Sequence, residues 1–233
     1  MANDLHVQAF ILAGGYGTRL LPMTQSIPKS MALIRGKPIL EHTINRLKEA
    51  GFLDIILAVS HLKENVMDYF GDGDAFGVRI KYAIEETPLG TGGAIKAYGN
   101  NIKGDFIMLN GDNLFDFELS KIYHFHKEKH PLATIGLTTV EDVSQFGVAK
   151  MDGDRITEFV EKPKNDPPSH LIDTGIYMID PSLISMLPEG VSNIAYEFEH
   201  LVRDNVINGF VYSGKWMACD TPELYEKAAK EWS

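Results

Sequence analysis

The chain has 233 residues, one cysteine and a formal net charge of -10. A chain of this length buries roughly 70 to 75% of its unfolded surface and needs no disulfide or structural metal, so one domain over residues 1–233 is expected. A lone Cys219, no apolar run near the ~20 residues of a membrane helix, no charged-then-apolar leader in MANDLHVQ and no Lys/Arg cluster point to a cytoplasmic protein that binds neither membrane nor nucleic acid.

In chain order, apolar strand-like runs alternate with amphipathic stretches. VQAFILA (7–13), DIILAVS (54–60), RIKYAIE (79–85) and DFIMLNG (105–111) read as strands buried on both faces. Between them, 38–50 places Leu40, Ile44 and Leu47 on one helical face, with Pro38 suited to a first turn. Residues 62–70, 91–100 and 119–129 are the next helix candidates. After Pro131 the texture is β-rich: LATIGLTTV, FGVAKM, ITEFVEK and LIDTGIYMID, with Gly153-Asp154 as a hairpin turn. Residues 194–207 and 222–232 read as helices. The pattern predicts an α/β fold with a mixed, mostly parallel sheet and a β-rich insertion in its second half.

The first strand runs into Gly14-Gly15-Tyr16-Gly17-Thr18-Arg19, with Pro28-Lys29 following. The dinucleotide fingerprint requires a third glycine that is absent here, and a Walker A loop requires Gly-Lys-Ser/Thr. A simple chain reversal accounts for Gly14 and Gly15 but not for Thr18-Arg19 or Lys29. Glycine lets a backbone approach a nucleotide closely, with amide donors on phosphate oxygens. Two added cations suit a triphosphate whose departing pyrophosphate must be neutralised. Asp112, at the end of an apolar strand, stands where open α/β sheets place ligands and could hold Mg²⁺ through oxygen; a turn aspartate is the plainer reading.

LAGGYGTRLLPMT…PKSMALIRGKPILEH resembles the signature of the sugar-1-phosphate nucleotidyltransferases. The likeness continues through ETPLGTGGA, LNGDN, FVEKP, DTGIY and the Trp216–Glu223 segment, nearly the whole chain. The resemblance implies a Rossmann-like fold and a reaction joining a nucleoside triphosphate to a sugar 1-phosphate with release of pyrophosphate. Many members add a C-terminal β-helix, for which this sequence has no counterpart. By resemblance, Leu12, Ala13, Gly14 and Gly15 line the nucleoside, and Gly17, Thr18, Arg19 and Lys29 meet the phosphates. Pro88, Gly90 and Thr91 belong to the same nucleotide set. Lys162 holds the sugar phosphate. Asn110, Gly147, Glu161, Asp173, Thr174 and Gly175 surround the sugar, although strand-end solvation also accounts for Glu161 and Asp173. The family more often has Asn where this chain has Asp173.

Glu85 stands where thymidylyl and uridylyl members often have Gln. Gln offers a donor and an acceptor, matching uracil or thymine; ionised Glu only accepts, matching the N1–H and N2–H₂ of guanine. That favours GTP, and the PLGTGGA run is similar to guanylyltransferases for mannose or heptose phosphates. A surface glutamate is the alternative. The family's second metal ligand lies in Trp-x-Asp, but this chain reads Trp216-Met217-Ala218-Cys219-Asp220, so Asp220 is the expected substitute. Ala218 also motivates a rival reading, a non-catalytic nucleotide-sugar sensor. A glycosyltransferase lacks support because Asp112-Asn113-Leu114 is not Asp-x-Asp. Thymidylyl, uridylyl or cytidylyl transfer stays open, as does homo-oligomerisation. His126 and His130, four apart on a helix, have no third ligand at a diagnostic spacing and read as a solvated face.

Overall fold

The computed structural model describes residues 5–15, 17–21 and 23–233. Its elements run β1 (Gln8–Leu12), β2 (Leu33–Ile34), β3 (Lys37–Pro38), α1 (Ile39–Glu49), β4 (Asp54–Val59), α2 (Lys63–Phe70), β5 (Arg79–Ile84), α3 (Gly90–Tyr98) and β6 (Phe106–Asn110). They continue through β7 (Asn113–Phe115), α4 (Leu119–Lys129), β8 (Ala133–Thr139), β9 (Gly147–Asp152), β10 (Arg155–Glu161) and β11 (Leu171–Ile179). The chain closes with α5 (Ser182–Met186), α6 (Ile194–Leu201), β12 (Ile207–Val211), β13 (Trp216–Ala218) and α7 (Pro222–Glu231).

Two compact units form. The first takes the described residues of Met1–Pro88 with Leu109–Leu119 and Gly214–Ser233. Its strands lie in the order β5-β4-β1, all parallel. Ala9, Phe10 and Ile11 are fully buried, and α1 buries Ile39, Leu40, Ile44 and Leu47. This is the continuous apolar strand and one-sided helix that the sequence pattern predicts. A short antiparallel pair, β7 with β13, sets Ala218 opposite Asn113. Pro222 sits in the first turn of α7, and Thr221 caps that helix by accepting from the Leu224 amide at 3.3 Å.

The second unit takes Leu89–Met108 and Ser120–Ser213, with strand order β6-β11-β8-β12-β10-β9. β12 runs parallel to β8, whereas β11 with β8, β10 with β9 and β10 with β12 are antiparallel. The sheet is therefore mixed, with its antiparallel pairs in the β-rich second half. Gly153 and Asp154 turn β9 into β10.

One helix is shorter than expected. The sequence pattern predicts one helix over 194–207, but α6 ends at Leu201 and a 3-10 turn closes it. Asn205 adopts φ 58°, a left-handed residue that stops helical propagation. The following INGFV then pairs with β8 as β12, a strand that the sequence pattern does not predict and whose first residue, Ile207, it assigns to the helix.

Candidate active site

In the first unit, Leu12 pairs with Ala58 and Ala58 with Ala83, so β1, β4 and β5 end side by side. The next residues carry the candidate chemistry. Ala13 donates its amide to Ala58, and Glu85 donates its amide to Val59, both at 2.9 Å. Gly111 donates to the Leu12 carbonyl at 2.9 Å, which brings Asp112 to the same strand ends. Parallel sheets take their ligands at this end because the loops there are free to diverge.

The glycine loop is clamped rather than loose. Gly17 has φ +60°, and a Cβ there would lie 3.0 Å from both the Lys29 Cβ and the Thr24 Cγ2. Thr24 fastens the turn by donating from Oγ1 to the Gly17 carbonyl at 2.7 Å. Gly14 packs on Ser60, while a side chain at Gly15 would meet no atom within 4 Å. Thr18 and Arg19 are exposed on a 3-10 turn, available to a ligand. Tyr16 of this loop lies outside the described residues, as do residues 1–4 of the N-terminal segment.

Lys29 is the centre of the site. Its side chain is only 10% exposed, so it is not a solvated loop cation. Nζ donates to Asp112 Oδ2 at 2.6 Å and also to Asp220 Oδ1. Burial alone would lower its pKa; the carboxylates of Asp112 and Asp220 overcome that and hold it above the ordinary lysine value. The β7–β13 register explains how Asp220 arrives. Continued past the Ala218–Asn113 pair, the ladder brings Asp112 beside the residues after Ala218. Cys219 is fully buried in a cluster with Ile34, Leu114 and Trp232. Burial pushes its thiol up to about 12, so it is an inert core group. Asp220 follows in a bend just beyond β13, half-buried, and its carboxylate reaches Lys29. Two carboxylates converging on one cation form a hard oxygen donor set, which suits Mg²⁺ completed by water or phosphate.

Glu85 is buried, with 7% exposure, while neighbouring Glu86 is exposed. The reading of Glu85 as a surface residue therefore does not hold. It lines a cleft of about 270 Å³ with Ser60, His61, Leu62, Lys63 and Glu64. Pro88 is half-buried in the same unit.

In the second unit, Thr91 is committed to the fold. Its Oγ1 donates to Asn193 Oδ1 at 3.0 Å and accepts from the Ile194 amide at 2.9 Å. Gly90 and Gly93 lie against the loop before α6: a Cβ on Gly93 would sit 2.2 Å from the Gly190 carbonyl oxygen. The glycines of PLGTGGA thus have a packing reason of their own.

The second unit also assembles Glu161, Lys162, Asp173 and Gly147. Lys162 has φ 49°, a left-handed conformation costing roughly 1 to 3 kcal/mol for a non-glycine residue. Its amide donates to Phe146 at 3.0 Å, and its ammonium meets Glu161 at 2.9 Å. The Glu161 side chain is only 7% exposed, which removes strand-end solvation as its explanation. Gly147 is packed tightly enough that a Cβ would lie 3.0 Å from Glu161 Oε2. Asp173 accepts from the Gly175 amide at 2.8 Å and from the Tyr177 hydroxyl at 2.7 Å. Thr174 donates to the Gly136 carbonyl at 2.7 Å and is spent on the sheet.

Residues 8–230 match the nucleotidyl transferase family. The chain belongs to that family. This nucleotidyl transferase is 36% identical over 231 residues to a mannose-1-phosphate guanylyltransferase of Mycobacterium tuberculosis, covering 97% of the chain and 64% of that relative. It is 35% identical over 225 residues to a mannose-1-phosphate guanyltransferase of Debaryomyces hansenii, covering 93% of the chain and 62% of the relative. The chain thus spans somewhat less than two thirds of these relatives. Among solved structures, HddC from Yersinia pseudotuberculosis superposes with a TM-score of 0.80 at 29% identity, covering 97% of this chain and all (100%) of that one. HddC has also been solved with GMP-PN. A Bacillus anthracis protein assigned as a glucose-1-phosphate thymidylyltransferase superposes at 0.89 with 26% identity, covering 96% of this chain and 94% of that one.

Glu199 carries no motif signal: its Oε1 accepts from the Glu161 amide at 2.6 Å, across 38 residues of sequence. Thr24 closes the LAGGYGTRLLPMT run, but its part in fastening Gly17 is not readable from the motif. Tyr177 reaches Asp173 across an irregular stretch of β11 that spacing alone does not reveal: the register shifts between the two residues, and Gly175 has φ 74°. His126 corrects the solvated-face reading. It is buried, with Nδ1 2.9 Å from Thr134 Oγ1, and burial holds its pKa below the ordinary value. His130 is exposed, as expected. No helix of the described residues is long and apolar enough to cross a membrane.

Asp173 gives a pH prediction. Burial pushes its pKa from 3.8 to about 7, with nearby Glu161 adding to the rise, against the two hydrogen bonds that favour the anion. Between pH 4 and 7 the folded protein then holds a proton that the unfolded chain has released, so stability falls as pH rises through this window and levels off above it. Asp173→Asn is expected to flatten that decline. Thermal melts should show the variant matching wild type at pH 4 and exceeding it at pH 8; parallel curves would contradict the assignment.

Proposed function

We propose that the chain is a Mg²⁺-dependent guanylyltransferase that joins GTP to mannose 1-phosphate, releasing pyrophosphate and forming a GDP-sugar. The observation that carries the class is the convergence of Asp112 and Asp220 on the Lys29 ammonium. A sensor that only binds product has no use for a buried cation held by two carboxylates beside the glycine loop. The lean to guanine rests on buried Glu85, supported by the mannose-1-phosphate guanylyltransferases among the relatives and the GMP-PN complex of HddC.

In the proposed reaction an oxygen of the sugar phosphate attacks the α-phosphorus of GTP. The new P–O–P bond forms as the α–β bond breaks, and pyrophosphate leaves with the electron pair. The attacking phosphate is already anionic, so no protein nucleophile is required, and catalysis is positioning plus charge neutralisation. Arg19 and Lys29 supply cations to the polyphosphate, and loop amides from Gly15 and Gly17 can donate to its oxygens. Lys162 neutralises the sugar phosphate, which reduces repulsion between two anions that must meet. Asp112 and Asp220 would hold Mg²⁺, which, when bound, supplies further charge neutralisation at phosphate oxygens. Glu161 and Asp173 are placed to meet sugar hydroxyls.

Incubation with GTP and mannose 1-phosphate should yield one pyrophosphate per GDP-sugar, detected by mass spectrometry, and EDTA should abolish it. Pyrophosphate formation without a nucleotide sugar would contradict the reading. Lys162→Met should raise KM for the sugar phosphate by about tenfold to hundredfold, the worth of a charge-assisted contact, with little change in KM for GTP. Equal losses for both substrates would remove the assignment of Lys162 to the sugar phosphate.

A further inference from the structure

We propose that Lys29 is the resident counterion of the Asp112–Asp220 pair: it holds the place of the divalent cation in the nucleotide-free protein, and cation entry releases its ammonium toward the polyphosphate loop. The inference rests on the metal role given above to the two aspartates.

Three observations carry it. Both carboxylates are engaged by one Nζ, so the repulsion between them is already partly offset by a resident positive charge. A dication and an ammonium cannot share that position, because like charges at contact repel strongly in a half-buried setting. The exposure is also asymmetric. The Lys29 side chain is 10% exposed, whereas those of Asp112 and Asp220 are 33% and 29% exposed. An incoming cation therefore reaches the carboxylates from solvent while the lysine stem stays packed. Finally, the Lys29 Cβ lies against Gly17, so the root of the side chain is fixed beside the phosphate-facing turn Thr18–Leu20. Lysine's flexible stem then allows its ammonium to leave the aspartates without leaving the loop. Metal entry and provision of a phosphate-binding cation become one exchange, and until then Lys29 offsets part of the repulsion between the two aspartates.

The test is Mn²⁺ binding to the nucleotide-free full chain, followed by the electron paramagnetic resonance of free Mn²⁺. Lys29→Met should bind Mn²⁺ more tightly than wild type, by about tenfold or more, a common size for coupling between competing ligands. Lys29→Arg keeps the charge and should remain close to wild type. In EDTA, Lys29→Met should melt below wild type, and added Mn²⁺ should raise its Tm by more than it raises that of wild type. Lys29→Gln serves the same comparison if the methionine variant does not fold. Adding Asp220→Asn to the neutral variant should abolish the gain. A folded neutral variant that binds Mn²⁺ no more tightly than wild type would overturn the proposal, as would a gain that survives Asp220→Asn. Absence of pyrophosphate release, by contrast, would strike the transferase reading and leave the Mn²⁺ comparison intact.

Discussion

Asp112→Asn and Asp220→Asn are each expected to lower kcat by about 10³-fold with folding preserved. Each substitution keeps the side-chain shape but removes one of the two charges that meet Lys29. Deleting a preorganised electrostatic group in a site of this kind costs about 10² to 10³ in rate, and loss of a cation ligand belongs at the upper end. On the proposed reading the two aspartates serve one cation, so the double variant should be little worse than either single one. Steady-state kinetics over a Mg²⁺ titration checks this. Asp220 is the more informative position. If Asp220→Asn turned over at the wild-type rate while Asp112→Asn did not, the carboxylate two residues beyond Ala218 would have no catalytic part.

Glu85→Gln is expected to shift base preference. The buried glutamate accepts hydrogen bonds, as guanine N1–H and N2–H₂ require; Gln presents a donor to one of them and leaves it poorly paired. A misplaced buried polar partner costs about 1 to 3 kcal/mol, or roughly tenfold to hundredfold in kcat/KM. The GTP-to-UTP ratio should fall by that factor, and wild type should already discriminate against ITP, which lacks the N2 amine. Measuring kcat/KM for GTP, ITP, UTP and dTTP with both proteins decides it. An unchanged ratio would place Glu85 away from the base.

Much of the fold was legible because its strongest patterns are local. The apolar runs at 7–13 and 54–60 hold β1 and β4, and α4 spans the predicted residues 119–129. Helix α6 was over-extended because a left-handed Asn205 leaves no apolar signature, and the strand after it is as apolar as the helix before it. The β7–β13 pair was not legible at all. It joins residues about a hundred positions apart, and each strand is too short to show periodicity. That pair supplies the physical answer to the Ala218 departure, since it is the ladder that delivers Asp220 to Lys29. Motifs likewise pointed to Lys29, Asp112 and Lys162, but not to Glu199, and they include Thr24 without showing its role, because both roles come from contacts made only on folding. PLGTGGA shows the converse: a motif assigned to the nucleotide also answers to the packing of α3 on the loop before α6.

The most direct measurement is pyrophosphate release with Mg²⁺, across GTP, UTP, dTTP, CTP and ATP against mannose, glucose and N-acetylglucosamine 1-phosphates. The account predicts the highest rate for GTP with mannose 1-phosphate, and a GTP row that dominates the others. A dominant UTP or dTTP row would contradict the guanine assignment of Glu85, and tight binding of a GDP-sugar with no release in any pair would contradict catalysis itself.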